Sequence, residues 1–557
     1  MKRRNAYLFL LTGAVSLGGV MVACGGNGNT PTGSSSTGEQ NPDAGDGPDA
    51  GGGGAGAGGA GAGGADAGPG PFEFTDFAID TPNGGGAVVV AGVSESAPDN
   101  SVALEQAFAA ANNGGTVSIP PGTYAIADMV NLTNGNDIIV EGNGARLVLT
   151  KGASLVVYNS SRLRFKDLII DWNWDSHPLA YFAVVKSNSG SEIQLDFPLD
   201  ATIPNTMDWW NVEMIDPVTF APVKGGAEWW QVYPAVQQKI TANSMRIAGF
   251  NGNLSAAVPG TGLRIRQLVN AQADRHVWYL ENVSHTIFEK VQIYSGSYMG
   301  YVLANNTHHI LLNGCRIVPD PKATGSKRIL STFADAFHIG HFTGYLGVIN
   351  SEFSHQGDDA MNIKQNVASK VTRTSDTTLF IQTEQWFSPY EVGDTLQLRY
   401  YNDHSVIGVT PPVTNVQWAG NTVTLSFNAP LPMFTGSDIL AINERFNTGQ
   451  YFIRKNHFHS NRARGLLPRL PNGVIDGNII EVTSMPGILF EFGRWDNIHA
   501  EGSFVDNLQI THNTIVNTNL YGWYPAVITY RVNGVDYPDA TALPQLFSNL
   551  TISDNTF

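Results

Sequence analysis

One short unit, apolar-x-x-Asn-x-apolar, returns four times toward the end of the chain. It reads Ile453-Arg-Lys-Asn456-His-Phe458, Ile475-Asp-Gly-Asn478-Ile-Ile480, Ile510-Thr-His-Asn513-Thr-Ile515 and Ile552-Ser-Asp-Asn555-Thr-Phe557. The first two copies lie 22 residues apart, and later intervals lengthen where loops intervene. Earlier units keep the apolar frame and change the turn residue to Val291, Cys315 or Ser351. A period of this length means a stack of similar coils, each burying its apolar face against the next. Asn suits the turn, because it tolerates special backbone geometry and its amide can bond the coil above. The expected fold is therefore all-β, a right-handed parallel β-helix. In that column Cys315 reads as a buried structural thiol, with no activating base in view.

A second repeat carries chemistry. Asp335-Ala-Phe-His-Ile339 and Asp359-Ala-Met-Asn-Ile363 share the pattern Asp-Ala-apolar-polar-Ile, 24 residues apart. Counting eight residues on from each turn slot gives Met299, Asp359, Arg464 and Pro486, each followed by Gly or Ala, and Asp335-Ala336 fits the same frame. Asp335, Asp359 and Arg464 should then occupy equivalent places on three successive coils, about 4.8 Å apart. Asp358 precedes Asp359 and should project differently. Two carboxylates one coil apart repel, so one pKa should rise, while an Arg on the next coil favours ionisation. Asp335 and Asp359 suit a base that activates water, and Asp358 suits the acid across a gap of about 6.5–9.5 Å, the division of labour of an inverting glycosidase. By alternation Met361, Ile363, Leu466, Ile488 and Phe490 fill the core, whereas His338, Asp358, Asn362 and Lys364 face a cleft. Asp335 and Asp359 fall on the core parity unless a turn interrupts the alternation before the strand. Arg464, His338, Asn362, Lys364 and Arg328 are the candidate substrate contacts. Trp172, Trp174, Trp209, Trp210, Trp229 and Trp230 are candidate stacking faces for sugars, though core packing explains most of them.

The ends and interruptions of the repeat are equally legible. Lys2, Arg3 and Arg4, an apolar run from Tyr7 to Val22 and then Ala23-Cys24 read as a lipoprotein export signal over residues 1–24, with Cys24 the lipidated residue. Residues 25–70 are nearly all Gly, Ala, Ser, Asp, Asn and Pro and read as a flexible tether. The folded body is expected over 71–557. It opens with a helix near Asp99–Asn112, capped by Asp99 or Ser101, with Val102, Leu104, Ala107, Phe108 and Ala111 on one face. Two stretches, about 178–270 and 367–445, break the period with alternating strands and turns and read as inserted antiparallel β modules. The sequence stops at Phe557 inside a repeat unit, so a cap beyond it or a covering segment is expected. A net charge of −16 argues against nucleic acid as a partner.

The helix followed by Gly114-Gly-Thr-Val-Ser-Ile-Pro-Pro-Gly-Thr-Tyr124 resembles the N-terminal cap of pectin-lyase-like β-helices. From Leu168-Ile-Ile-Asp-Trp-Asn173 to the end, the chain resembles glycoside hydrolase family 110, the exo-acting α-1,3-galactosidases. The resemblance rests on Arg328-Ile-Leu-Ser-Thr-Phe-Ala-Asp-Ala-Phe-His338, Gly357-Asp-Asp-Ala-Met-Asn-Ile363, Asn461-Arg-Ala-Arg-Gly-Leu466 and the paired inserts. It implies an inverting enzyme with Asp358 as acid and Asp335 with Asp359 on the base side. Phe333 stands where the family has Thr, and Lys364 where its strand continues to His, so the sugar and linkage are less constrained than the chemistry. A more distant likeness to polygalacturonases lies in Gly-Asp-Asp, without their Gly-His-Gly or Arg-Ile-Lys.

These readings converge on an exported, lipid-anchored exo-glycosidase that takes an oligosaccharide or polysaccharide and needs no metal or other cofactor. A lyase or epimerase on the same fold would instead need a positioned Lys, Arg or His base, for which Lys364 and Arg464 are candidates, and often Ca²⁺. A non-catalytic carbohydrate-binding adhesin is the third reading.

Overall fold

The computed structural model describes residues 77–251, 254–267, 275–320, 328–447, 449–494, 497–532, 535–536 and 547–557. The export signal, Cys24 and the tether lie outside these residues. Among them, three long sheets wind around one another as a parallel β-helix, in the right-handed sense usual for parallel crossovers. One sheet has 11 strands, from Val88–Val90 to Phe547–Ser553, and another has 9, from Thr123–Ile126 to Thr514–Val516. The third carries the site. Its parallel part runs through Trp278–Glu281, Tyr301–Ala304, Phe337–Ile339, Met361–Ile363, Leu466–Pro468 and Ile488–Arg494.

The turn column explains why the coils stay in register. Asn456 N–H donates to Asn478 Oδ1, Asn478 N–H to Asn513 Oδ1 and Asn513 N–H to Asn555 Oδ1, each at 2.9 Å. The same amides donate from Nδ2 as well, as Asn456 does to Val348 O at 2.8 Å. Each buried amide is thereby satisfied by the neighbouring coil, which a one-residue slip would undo. Ser351 and Cys315 occupy the same column, Ser351 N–H bonding Asn456 Oδ1 and Cys315 N–H bonding Ser351 Oγ. Burial pushes the Cys315 thiol up to about 12, so it stays protonated and unreactive. Inside the coils aromatic rings stack in the same way, Phe165 on Phe288 and Phe353 on Phe458.

Helix α1 (Ser101–Ala110) buries Leu104, Ala107 and Phe108 in the main core. The N-cap is Asn100 rather than Asp99 or Ser101, and it makes no side-chain capping bond; Asp99 instead accepts the Ser101 and Ala127 N–H groups beside it. Val102 departs from the apolar face assigned to it, since it is 61 % exposed.

Two antiparallel modules leave the solenoid. The first is a seven-stranded sheet between Ala180–Asn188 and Gly262–Gln267, with its own core around Phe197, Trp209 and Ile265. The second holds a four-stranded sheet, Val371–Ser375 to Thr422–Phe427, and strands Leu396–Tyr400, Val406–Val409 and Ile439–Asn443. Through Asn366–Ala368 and His499–Glu501 these last strands join the edge of the site-bearing sheet.

Candidate active site

Backbone bonds place the repeat-matched residues in one column. Gly300 N–H donates to Asp335 O, Ala336 N–H to Asp359 O, Ala360 N–H to Arg464 O and Gly465 N–H to Pro486 O. Met299, Asp335, Asp359, Arg464 and Pro486 therefore stack. The alternation does break at the following residue. Ala336 and Phe337 both pack in the core, and a Cβ added to Gly465 would sit 2.6 Å from core Ile480. The slot before each small residue consequently faces away from the core, which is how aspartates of the wrong parity reach the outer face.

Asp335, Asp358 and Asp359 converge, with one oxygen from each within 4.8 Å of the others. This is tighter than the 6.5–9.5 Å gap expected from the sequence. The three residues are also at most 2 % exposed, so the open cleft expected around them is not present. The cluster is compensated one partner at a time. Asp335 Oδ2 lies 2.7 Å from His338 Nδ1, and its Oδ1 accepts the Asp359 N–H. Asp359 Oδ1 accepts the Arg464 N–H at 3.1 Å and pairs with Arg464 Nε at 2.9 Å. Asp358 Oδ1 is 3.1 Å from Arg462 Nη1 but makes no well-formed hydrogen bond. Each carboxylate thus already has a cationic or imidazole partner, which offsets the need for a bound cation.

Burial is the main force on the protons here. It pushes Asp358 up to about 7; Arg462 opposes the rise and Asp335 adds to it. Burial holds Asp359 well above the usual carboxylate range despite Arg464, with Asp358 and Asp335 contributing. The cluster therefore retains protons near neutrality.

The first insert closes the site through charges that no local sequence pattern reveals. Glu228 takes both Arg462 Nε and Nη2 at 2.6 Å, and the Trp230 ring lies 4.5 Å from that guanidinium. On the other face of the network Arg266, 5.2 Å from the same ring, donates from Nη1 to Phe333 O and Gly357 O, both at 2.8 Å. Arg264 pairs with Glu213 and donates to Ile329 O. A Cβ at Gly357 would lie 2.1 Å from Phe333 O and 2.7 Å from Arg266 Nη1, so the Gly-Asp-Asp glycine is dictated by these close approaches. The loop near Tyr521 is fastened over the insert by Gly225 N–H to Leu520 O and Tyr521 Oη to Met214 O.

Several candidate contacts turn out to be internal. Lys364 does not face a cleft: its Nζ is 2.6 Å from Glu501 Oε1 and 2.6 Å from Asn366 Oδ1, and Arg469 shares Glu501. Arg464 is buried against Asp359 rather than presented to a sugar. Arg328 pairs with Asp171, which also takes Arg146. His338 is the best-exposed member, its side chain 13 % accessible. Asn362 lies beside His338 in register, buried, with neither amide atom hydrogen-bonded. Of the six tryptophans, Trp230 joins the site; Trp172, Trp174 and Trp209 are buried in cores.

The chain is a glycoside hydrolase carried on a parallel β-helix, and its buried carboxylate triad, closed by an insert, is the candidate site for that chemistry. Within that class the chain is similar to family 110. It is 24 % identical to alpha-1,3-galactosidase B of Bacteroides thetaiotaomicron over 453 residues, 76 % of this chain and 70 % of that protein. It is 22 % identical to alpha-1,3-galactosidase A of Shewanella woodyi over 411 residues, 70 % of this chain and 65 % of that one. Among solved structures, the endo-xylogalacturonan hydrolase of Aspergillus tubingensis aligns with a TM-score of 0.37 at 9 % identity, covering 81 % of this chain and 78 % of that one. No family model matches the chain.

Proposed function

We propose that the protein is an inverting exo-α-galactosidase that removes terminal α-1,3-linked galactose from glycans. The observation that carries this reading is the convergence of three buried carboxylates, one of them poised near neutrality, on adjacent coils. Asp358 in its protonated form gives its proton to the glycosidic oxygen as that bond breaks. Asp335 and Asp359 hold a water on the other side of the anomeric carbon; Asp335 takes its proton as the new C–O bond forms, while Asp359, which burial keeps protonated, positions the water. His338 orients Asp335 through the 2.7 Å contact, and Arg464 orients Asp359 through their 2.9 Å pair. The closed arrangement is narrower than an inverting reaction needs, so the sugar must part acid from base as it enters. Asp358, held by one ion pair and no full hydrogen bond, is the member freest to swing. A site enclosed by an insert favours a terminal residue over an internal one, and entry beside the partly open His338 suits that mode.

A lyase or epimerase reading loses its bases, because Lys364 is committed to Glu501 and Arg464 to Asp359. Export and lipidation at Cys24 complete the proposal on sequence alone, placing the enzyme on the cell envelope to meet external glycans. The test is a panel of aryl glycosides, α-galactosides included, with the first-formed anomer followed by NMR. β-Galactose as first product supports the reading. α-Galactose as first product, or hydrolysis confined to other sugars, contradicts it.

A further inference from the structure

Far from the carboxylates, three histidines meet on the outer face of the 11-stranded sheet. His285 belongs to strand Ser284–Glu289, and His308 and His309 to His308–Asn313. Pairing of Ser284 with His308 and of Thr286 with Ile310 sets His285 beside His309. One ring nitrogen from each of the three lies within 4.8 Å of the others. His308 Nδ1 and His309 Nδ1 approach to 2.7 Å, and the rings of His285 and His309 stack at 4.4 Å. Gly344 makes room for His308: a Cβ there would stand 2.4 Å from that residue's own Cβ.

The backbone is special at the same place. Asp137, Arg162, His285 and His309 share a left-handed bulge on consecutive coils, with φ between 50° and 54° for the two histidines. The bulge turns these side chains outward as a column. Asp137 and Arg162 neutralise each other at its lower end, and the histidines follow. Above them the Phe77–Asp80 segment crosses the column. Phe77 stacks on Tyr345, and Asp80 N–H donates to His285 Nδ1 at 3.0 Å. The exposed Asp80 carboxylate stands 3.8 Å from His285 Nε2. An aromatic ladder accounts for His309, which packs on Tyr345. His308 meets His309 through a hydrogen bond between their Nδ1 atoms, a contact that a shared metal ion would replace.

We propose that His285, His308 and His309, with Asp80, bind a divalent transition metal of the zinc type and so clamp the Phe77–Asp80 segment to the solenoid. Three imidazoles and one carboxylate are a donor set suited to zinc, whose bonds to nitrogen are about 2.0–2.1 Å. The rings are half-buried, with one nitrogen of each already within 4.8 Å of the others. His285 would exchange its bond from Asp80 N–H for the metal, and the Asp80 carboxylate would supply the oxygen.

The experiment titrates the full chain with Zn²⁺ against a chromogenic chelator, alongside H285A, H309A and the D335N control. One zinc per chain, weakened at least tenfold in both histidine variants and unchanged in D335N, is the expected result. Cobalt(II) added to the unmodified protein gives a readout independent of any variant's folding: the intense visible bands of a four-coordinate ion are expected. Absence of bound zinc, zinc binding indifferent to the histidine substitutions, or the pale spectrum of six-coordinate cobalt would each overturn the proposal.

Discussion

Replacing Asp358 with Asn should stabilise the protein in alkaline solution, even as it lowers activity on substrates whose leaving group needs a proton. In the unfolded chain Asp358 ionises around its ordinary value of 3.8, whereas the folded site holds it up to about 7. Between those values the folded state carries a proton that the unfolded state has lost, so stability falls as pH rises through the window and levels off above it. With 1.36 kcal/mol for each pH unit, the loss between pH 5 and pH 8 is about 3 kcal/mol. Asn cannot ionise, so this slope disappears, while Arg462 keeps its bidentate partner Glu228. At about 2.1 cal/mol/K of unfolding entropy per residue over roughly 480 residues, each kcal/mol is worth about 1 °C. Thermal melts of both proteins at pH 5 and pH 8 should show the variant gaining about 2–3 °C on the parent between the two. A gain that shrinks or reverses toward pH 8 would refute the claim that burial keeps this carboxyl protonated.

Glu228→Gln leaves Arg462 to lean on Asp358, so the ionised acid is favoured and the alkaline limb of kcat/KM should move down by about one pH unit; a limb that stays put contradicts the coupling. Lys364→Met strands Glu501 with Arg469 alone and should cost about 3–5 kcal/mol in urea unfolding, with Glu501→Gln in the same chain recovering part of it. Gly357→Ala drives a methyl against Phe333 O and Arg266, so a loss of about 1–3 kcal/mol is expected, together with a fall in kcat that exceeds any change in KM.

Most of the solenoid was visible because its physics is local and repeated. The Asn456, Asn478 and Asn513 slots bond one coil to the next, so a 22-residue spacing is already a structural statement. The stacking of Asp335, Asp359 and Arg464 followed from the same ruler. Alternation places Met361, Ile363, Leu466, Ile488 and Phe490 in the core, where they are found; Asp335 and Asp359 escape it because the small residue after each slot turns inward and resets the parity. Alternation alone sends Lys364 to an open cleft, since nothing near it in sequence announces Glu501, 137 residues on. The lid was hidden for the same reason. Glu228 meets Arg462 across 234 residues, and only the folded insert brings Trp230 against both Arg266 and Arg462. Arg462 is legible in the same Asn461-Arg-Ala-Arg motif as Arg464, two residues before it.

The division of labour among the three aspartates is tested most directly by leaving-group dependence. kcat/KM should be measured for D335N, D358N and D359N on an activated aryl α-galactoside and on an α-1,3-linked galactosyl disaccharide. D358N should lose about 10²–10⁴-fold on the disaccharide and far less on the aryl substrate, whose leaving group needs no proton, while D335N and D359N lose comparably on both. Equal losses of D358N on the two substrates, or near-parental activity in any one of the three, would contradict the account.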